Sequence, residues 1–148
     1  LEVCVSLLQR PPGWLLGSDE VSRRFAAIVD PEARSSSREK LVARAYAAFC
    51  EAVARLDLRR GRLVEYPNLP TAVWEGVAPH FSVSVKDAAR ERMAQAATRH
   101  AKASAGSTAP FVADTTAKQA AVTLMLREAV DAHARPALER LRRAFSSP

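Results

Sequence analysis

No Gly-rich phosphate loop, no Gly-x-Ser-x-Gly turn and no paired metal-binding carboxylates occur in these 148 residues, so local chemistry names no reaction. Histidine is scarce. His80, His100 and His133 sit on separate elements and are too few for a zinc site or a charge-relay set; each reads as a surface or cap histidine. Cysteine is scarcer still. Cys4 and Cys50 fall on apolar helical stretches without metal-ligand spacing and read as buried free thiols of a reducing compartment, a disulfide being the lesser alternative. No run approaches the roughly 20 apolar residues of a membrane span, and no charged segment precedes a short apolar one as in a signal peptide. A soluble, cytoplasmic protein is expected. Lysine is rare, with 4 against 18 arginines, and the net charge is +6. A basic balance suits nucleic acid, a membrane surface or an acidic small molecule. Here the arginines are scattered, with short clusters only at Arg59-Arg60-Arg62 and Arg140-Arg142-Arg143, which reads as a solvated surface. No internal repeat and no long heptad run is found.

Residues that are 48% hydrophobic, over this length, suffice for a single domain with a real core. The chain opens on an apolar run with no N-cap ahead of it and has no methionine before Met93, which reads as a truncated start. Leu1, Val3, Val5 and Leu8 are then expected to be poorly covered compared with Phe49 and Trp74. A helix over 1–10 ends at Pro11-Pro12-Gly13, and a second runs from Asp19 to Val29 with Val21, Phe25 and Ile28 on one face. Residues 30–37 form a loop. Ser36-x-x-Glu39 reads as a capping box opening the clearest helix, whose inward face is Leu41, Ala45, Ala48/Phe49, Ala52/Val53 and Leu56. Next, Gly61 and residues 62–66 read as the one strand, stopped by Pro67 and Pro70. Helices follow over Val73–His80, from Ser84-x-x-Asp87 to about His100, and over Thr115–Phe145 with a break at Pro136; residues 103–114 form a loop.

The order of these elements resembles the C-terminal half of the sulfotransferase family. Leu1-Glu2-Val3-Cys4-Val5-Ser6 looks like the family's Val-Ser helix, and Tyr66-Pro67-Asn68-Leu69 looks like its Tyr-Glu-Asp-Leu strand end. Trp74-Glu75-Gly76-Val77-Ala78-Pro79-His80-Phe81 stands where the family has a helix ending Phe-Leu-Gly, and the likeness extends to about Lys102. The resemblance implies an α/β fold, the C-terminal part of a P-loop-like sulfotransferase domain, mostly helical with one strand near 62–66. It implies that Ser6 binds the 3′-phosphate of 3′-phosphoadenosine 5′-phosphosulfate, the sulfuryl donor, that Tyr66 lies by the adenine, and that Thr98 lies over it. Lys118 stands where the family has its C-terminal basic signature. The implied function is transfer of a sulfuryl group from that donor to a small hydroxyl or amine acceptor, with no nucleic-acid or membrane partner. The family's phosphosulfate loop, its lysine, its catalytic base and the arginine that partners the Val-Ser serine are not found, so the chain is expected to be inactive by itself. The other reading is a small basic helical module that binds an acidic partner or nucleic acid through its arginines.

Overall fold

Three helices begin on side-chain caps. Asp19 accepts the Ser22 N–H at 2.9 Å, Ser37 accepts the Lys40 N–H at 3.2 Å and Thr123 accepts the Leu126 N–H at 3.1 Å, each satisfying a backbone donor that the first turn leaves free. These caps fix where α3 (Glu20–Val29), α4 (Arg38–Ala54) and α8 (Leu124–Ala129) start. The structure, a computed structural model, describes residues 1–32, 35–56, 61–98 and 114–146. The loop expected at 103–114 lies outside the described residues apart from Asp114, which precedes the helix Thr115–Ala120.

The chain forms two units, residues 1–58 with 114–148, and residues 59–113. The first holds α1 (Glu2–Gln9), α2 (Gly13–Leu16), α3, α4, α7 (Thr115–Ala120), α8 and α9 (Arg135–Ser146). Within it α4 is central, touching α1, α2, α3, α8 and α9. Its buried Leu41, Val42, Ala43 and Ala45 meet Cys4 and Val5 of α1, Leu15 of α2, Leu126 of α8 and the alanines and valine that follow. Each fully buried leucine or valine in this cluster contributes about 2 kcal/mol. Val5, expected to be poorly covered, is 2% exposed, whereas Phe49 is 48% exposed. The reason is that α1 lays Cys4 and Val5 on α4, leaving Leu1 and Val3 outside.

The second unit contains a 3-10 turn at Tyr66–Asn68, a π-helical turn at Val73–Val77, α5 (Ala78–His80) and α6 (Asp87–Ala97). Ala78 is its one buried residue among those described. On α6, Ala89 and Met93 are half-buried while Ala88, Ala96 and Ala97 are exposed. After α5 the chain turns through Ser82, whose φ is 57°, with Ser82 N–H donating to Pro79 and Val83 N–H to Ala78. This is a helix-ending turn usually given to glycine.

The expected α/β fold is overturned. Of the described residues 73% are helical, and they contain no strand or sheet. Residues 61–65 have no regular structure and Tyr66 opens the 3-10 turn, so the strand near 62–66 is absent. Strand-forming side chains at Leu63, Val64 and Tyr66 do not suffice where no second strand offers a ladder and prolines follow at once.

Pro136 does not end the last helix. The helical run continues from Leu124 to Ser146, and the π-helical turn Val130–Ala134 lies immediately before the proline, with Arg135 N–H donating to Val130. Pro136 has no N–H and its ring would crowd the carbonyl four residues earlier, that of Ala132; the wider turn accommodates both defects. Pro79 stands in the same relation to Val73–Val77.

Candidate functional site

Three residues on α4 and its C-cap residue fall in one line along the helix: Arg44, Ala48, Glu51 and Arg55, at spacings of i, i+4, i+7 and i+11. This line is the floor of an open groove of about 660 Å³ in the first unit, with Ala47 and Ala52 beside it. Phe25, Ile28 and Val29 of α3 form one wall. The other comes from the π-helical turn and the start of α9, through Ala132, His133, Pro136 and Arg140. Alanine at 47, 48 and 52 keeps the floor low; larger residues there would fill it.

The α3 side is anchored by a buried charge. Asp30, 0% exposed at the end of α3, accepts from the Ser36 hydroxyl, from the Glu32 N–H at 3.0 Å and from the Arg44 guanidinium. Burial pushes its carboxyl up, but the bonds from Ser36 and Glu32 and the charges of Arg44 and Lys40 outweigh that and hold it below the usual carboxylate range. Ser36 is therefore spent on Asp30, and Ser37 caps α4 in its place, one residue later than the expected capping box. His133 faces the same charges. Burial, then Arg44 and Lys40, push its pKa down against the smaller opposing pull of Asp30, so the ring is neutral at pH 7.

At the other end of the floor, Glu51 accepts from Arg140 at 2.5 Å and lies 3.9 Å from Arg55. Two arginines thus share one carboxylate among the described residues. Behind the α3 wall, Trp14 meets Phe25 edge-on at 4.9 Å and Phe49 at 5.9 Å, so the tryptophan touches two groove residues. No group of three metal-ligating side chains is found among the described residues, and no described helix is long and apolar enough to cross a membrane.

The residues expected at a nucleotide site are distributed over both units. Ser6 and Lys118 belong to the first. Ser6 is half-buried in the middle of α1, away from the free N–H groups of the first turn, which also carries Glu2. The Lys118 ammonium is 2.9 Å from the carboxylate of Asp114, the N-cap residue of the same helix. Tyr66 and Thr98 belong to the second unit. Tyr66 is 73% exposed in the 3-10 turn, and the Thr98 hydroxyl donates to the Gln95 carbonyl at 2.7 Å, at the C-terminal end of α6. Both cysteines are free and buried, and burial pushes both thiols up.

Sequence reasoning did not single out Arg44, Glu51 or Arg55, and named Arg140 only within a cluster read as solvated surface. The spacing of the first three along one helical line was the available signal, since charges aligned on one side mark a face without a packing partner. Comparison with known families finds no model that matches this chain, and no curated protein or solved structure matches it either.

Proposed function

We propose that the chain is a helical binding module whose groove over α4 receives an acidic partner. One observation carries this reading: Arg44, Arg55 and Arg140 line a groove of helix side chains whose single acidic lining residue is Glu51. A groove with apolar walls gains affinity from burial, and the charges at its rim choose the partner and speed encounter. Nucleic acid is disfavoured by the walls, since Phe25, Ile28, Val29 and Pro136 offer nothing to a phosphate backbone.

Panning a displayed library of random peptides on the wild-type protein, with counter-selection on an Arg55→Glu, Arg140→Gln variant, is expected to return sequences with net negative charge. Equal retention by both proteins, or recovered sequences without acidic bias, refutes the reading. Calorimetry with adenosine 3′,5′-bisphosphate covers the sulfuryl-transfer alternative. Saturable heat with the bisphosphate, and none with the recovered peptides, would move the assignment there.

A further inference from the structure

The walls and floor of the groove constrain the backbone of whatever fills it. α3, α4 and the run from Leu124 to Ser146 supply side chains to it, and apart from carbonyls in the last turns of α3 and α4 and ahead of Pro136 their backbone groups are paired within the helices, so the groove offers no strand edge and no free N–H row. An extended peptide laid against Phe25, Ile28, Val29 and Pro136 would bury backbone N–H and C=O groups with no partner, whereas a helix arrives with those groups already paired. The floor also suits a helix in length and depth. Arg44 and Arg55 are eleven residues apart, or about 16 Å along the axis, which is three turns. Ala47, Ala48 and Ala52 let a second helix axis approach to within the roughly 8–10 Å of ordinary helix packing.

Charge is distributed unevenly along this floor. Arg44 is matched by the buried Asp30, while Arg55 and Arg140 share Glu51. The unmatched positive charge among the described lining residues is therefore at the Arg55 end, where Arg55 is 80% exposed and Arg140 51% exposed.

We infer that the occupant is an amphipathic α-helix of about three turns that packs between α3 and α9 as an additional helix of the bundle and places a carboxylate beside Arg55 and Arg140. Its contact face carries apolar residues at i, i+3/i+4 and i+7 toward Phe25 and Ile28, with small residues over Ala48 and Ala52. This rests on the reading of the groove as a site for an acidic partner and adds the conformation of that partner.

The test uses the full chain with Trp74→Phe, so that Trp14 alone reports on the groove through Phe25 and Phe49. Two peptides of about 14 residues, identical in Glu, Ala, Leu and Gln content, are titrated. One has leucines at helical spacing with glutamates at the ends of the same face; the other alternates leucine and polar residues at strand spacing. The helical peptide is expected to bind at least tenfold more tightly and to gain helical ellipticity on binding. Arg55→Glu is expected to weaken it by about tenfold, and Ala52→Phe, which fills the floor from an exposed position, to abolish it while the free protein's circular dichroism is unchanged. Equal binding of both peptides overturns the helical occupant and leaves the acidic-partner reading standing. Binding of neither, or tighter binding when lysine replaces every glutamate, overturns both.

Discussion

Arg44→Met removes the directly bonded counter-charge of Asp30 and leaves a carboxylate of 0% exposure with hydrogen bonds from the Ser36 hydroxyl and the Glu32 N–H and the more distant charge of Lys40. Two opposite charges about 4 Å apart interact by about 4 kcal/mol at an effective dielectric near 20. The Arg44 side chain is 25% exposed, so water screens part of this, and about 3 kcal/mol remains, the low end of what breaking a buried pair costs. With a urea slope of about 1.5 kcal/mol/M, the midpoint of unfolding falls by about 2 M. Trp14 fluorescence in the Trp74→Phe background follows the first unit alone. Asp30→Asn completes the cycle: with the charge gone, Arg44→Met has little left to remove, and the two changes together cost about 2–3 kcal/mol less than their sum. A loss below about 1 kcal/mol for Arg44→Met, or a coupling indistinguishable from zero, refutes the argument that this pair pins α3 to α4.

Gly17→Ala is expected to destabilise the first unit by about 1–3 kcal/mol, because a Cβ there collides with the Gly13 carbonyl oxygen and meets the Ser22 hydroxyl at 2.6 Å; an unchanged melting temperature contradicts it. Ser82→Gly relieves a positive φ and is expected to stabilise the second unit by about 1 kcal/mol, read from Trp74 fluorescence in a Trp14→Phe background. Acid acts in two stages. The folded pKa of His133 is depressed below 6.5, so the unfolded chain binds that proton first and stability falls as pH drops below about 6.5, until the folded ring also protonates. The folded pKa of Asp30 is depressed below 3.8, so its contribution is fully present above that value and is lost as pH falls through the folded pKa. Urea midpoints measured from pH 7 to pH 3 should lose the first stage in His133→Gln and the second in Asp30→Asn.

Helix positions were legible because caps and breakers act locally. Pro11-Pro12-Gly13 ended α1, and Asp19 began α3, as their chemistry requires. Which face points inward was less legible. Val21, Phe25 and Ile28 were expected to share one apolar face, yet Val21 is 67% and Ile28 79% exposed, because the interior side of α3 is set by Ser22, whose hydroxyl lies 2.6 Å from the Gly13 carbonyl, and by Ala26 and Val29. Likewise Phe49, Val53 and Leu56 continue the apolar spacing of α4 beyond the point where a helix covers them. Apolar periodicity reports that a face can be buried; it does not say whether the covering element belongs to the same chain. The strand at 62–66 was misread for a related reason, since propensity is local and a ladder partner is not.

The two walls of the groove differ in compliance. The α3 wall is tied to the floor by the buried Asp30, and moving it means separating that carboxylate from Arg44. The opposite wall is the stretch where the long helical run has exchanged ordinary turns for a π-helical one and met a proline without an N–H. Helices bend most easily where their hydrogen-bond ladder is interrupted. Val130, Ala134 and Ala137 keep the inner side of this joint packed in the core, so its give is confined to the groove-facing side at Ala132, His133 and Pro136. Width is thereby adjustable on one side only, which fits a receptor that keeps a fixed edge for register while tolerating side chains of different bulk along the other.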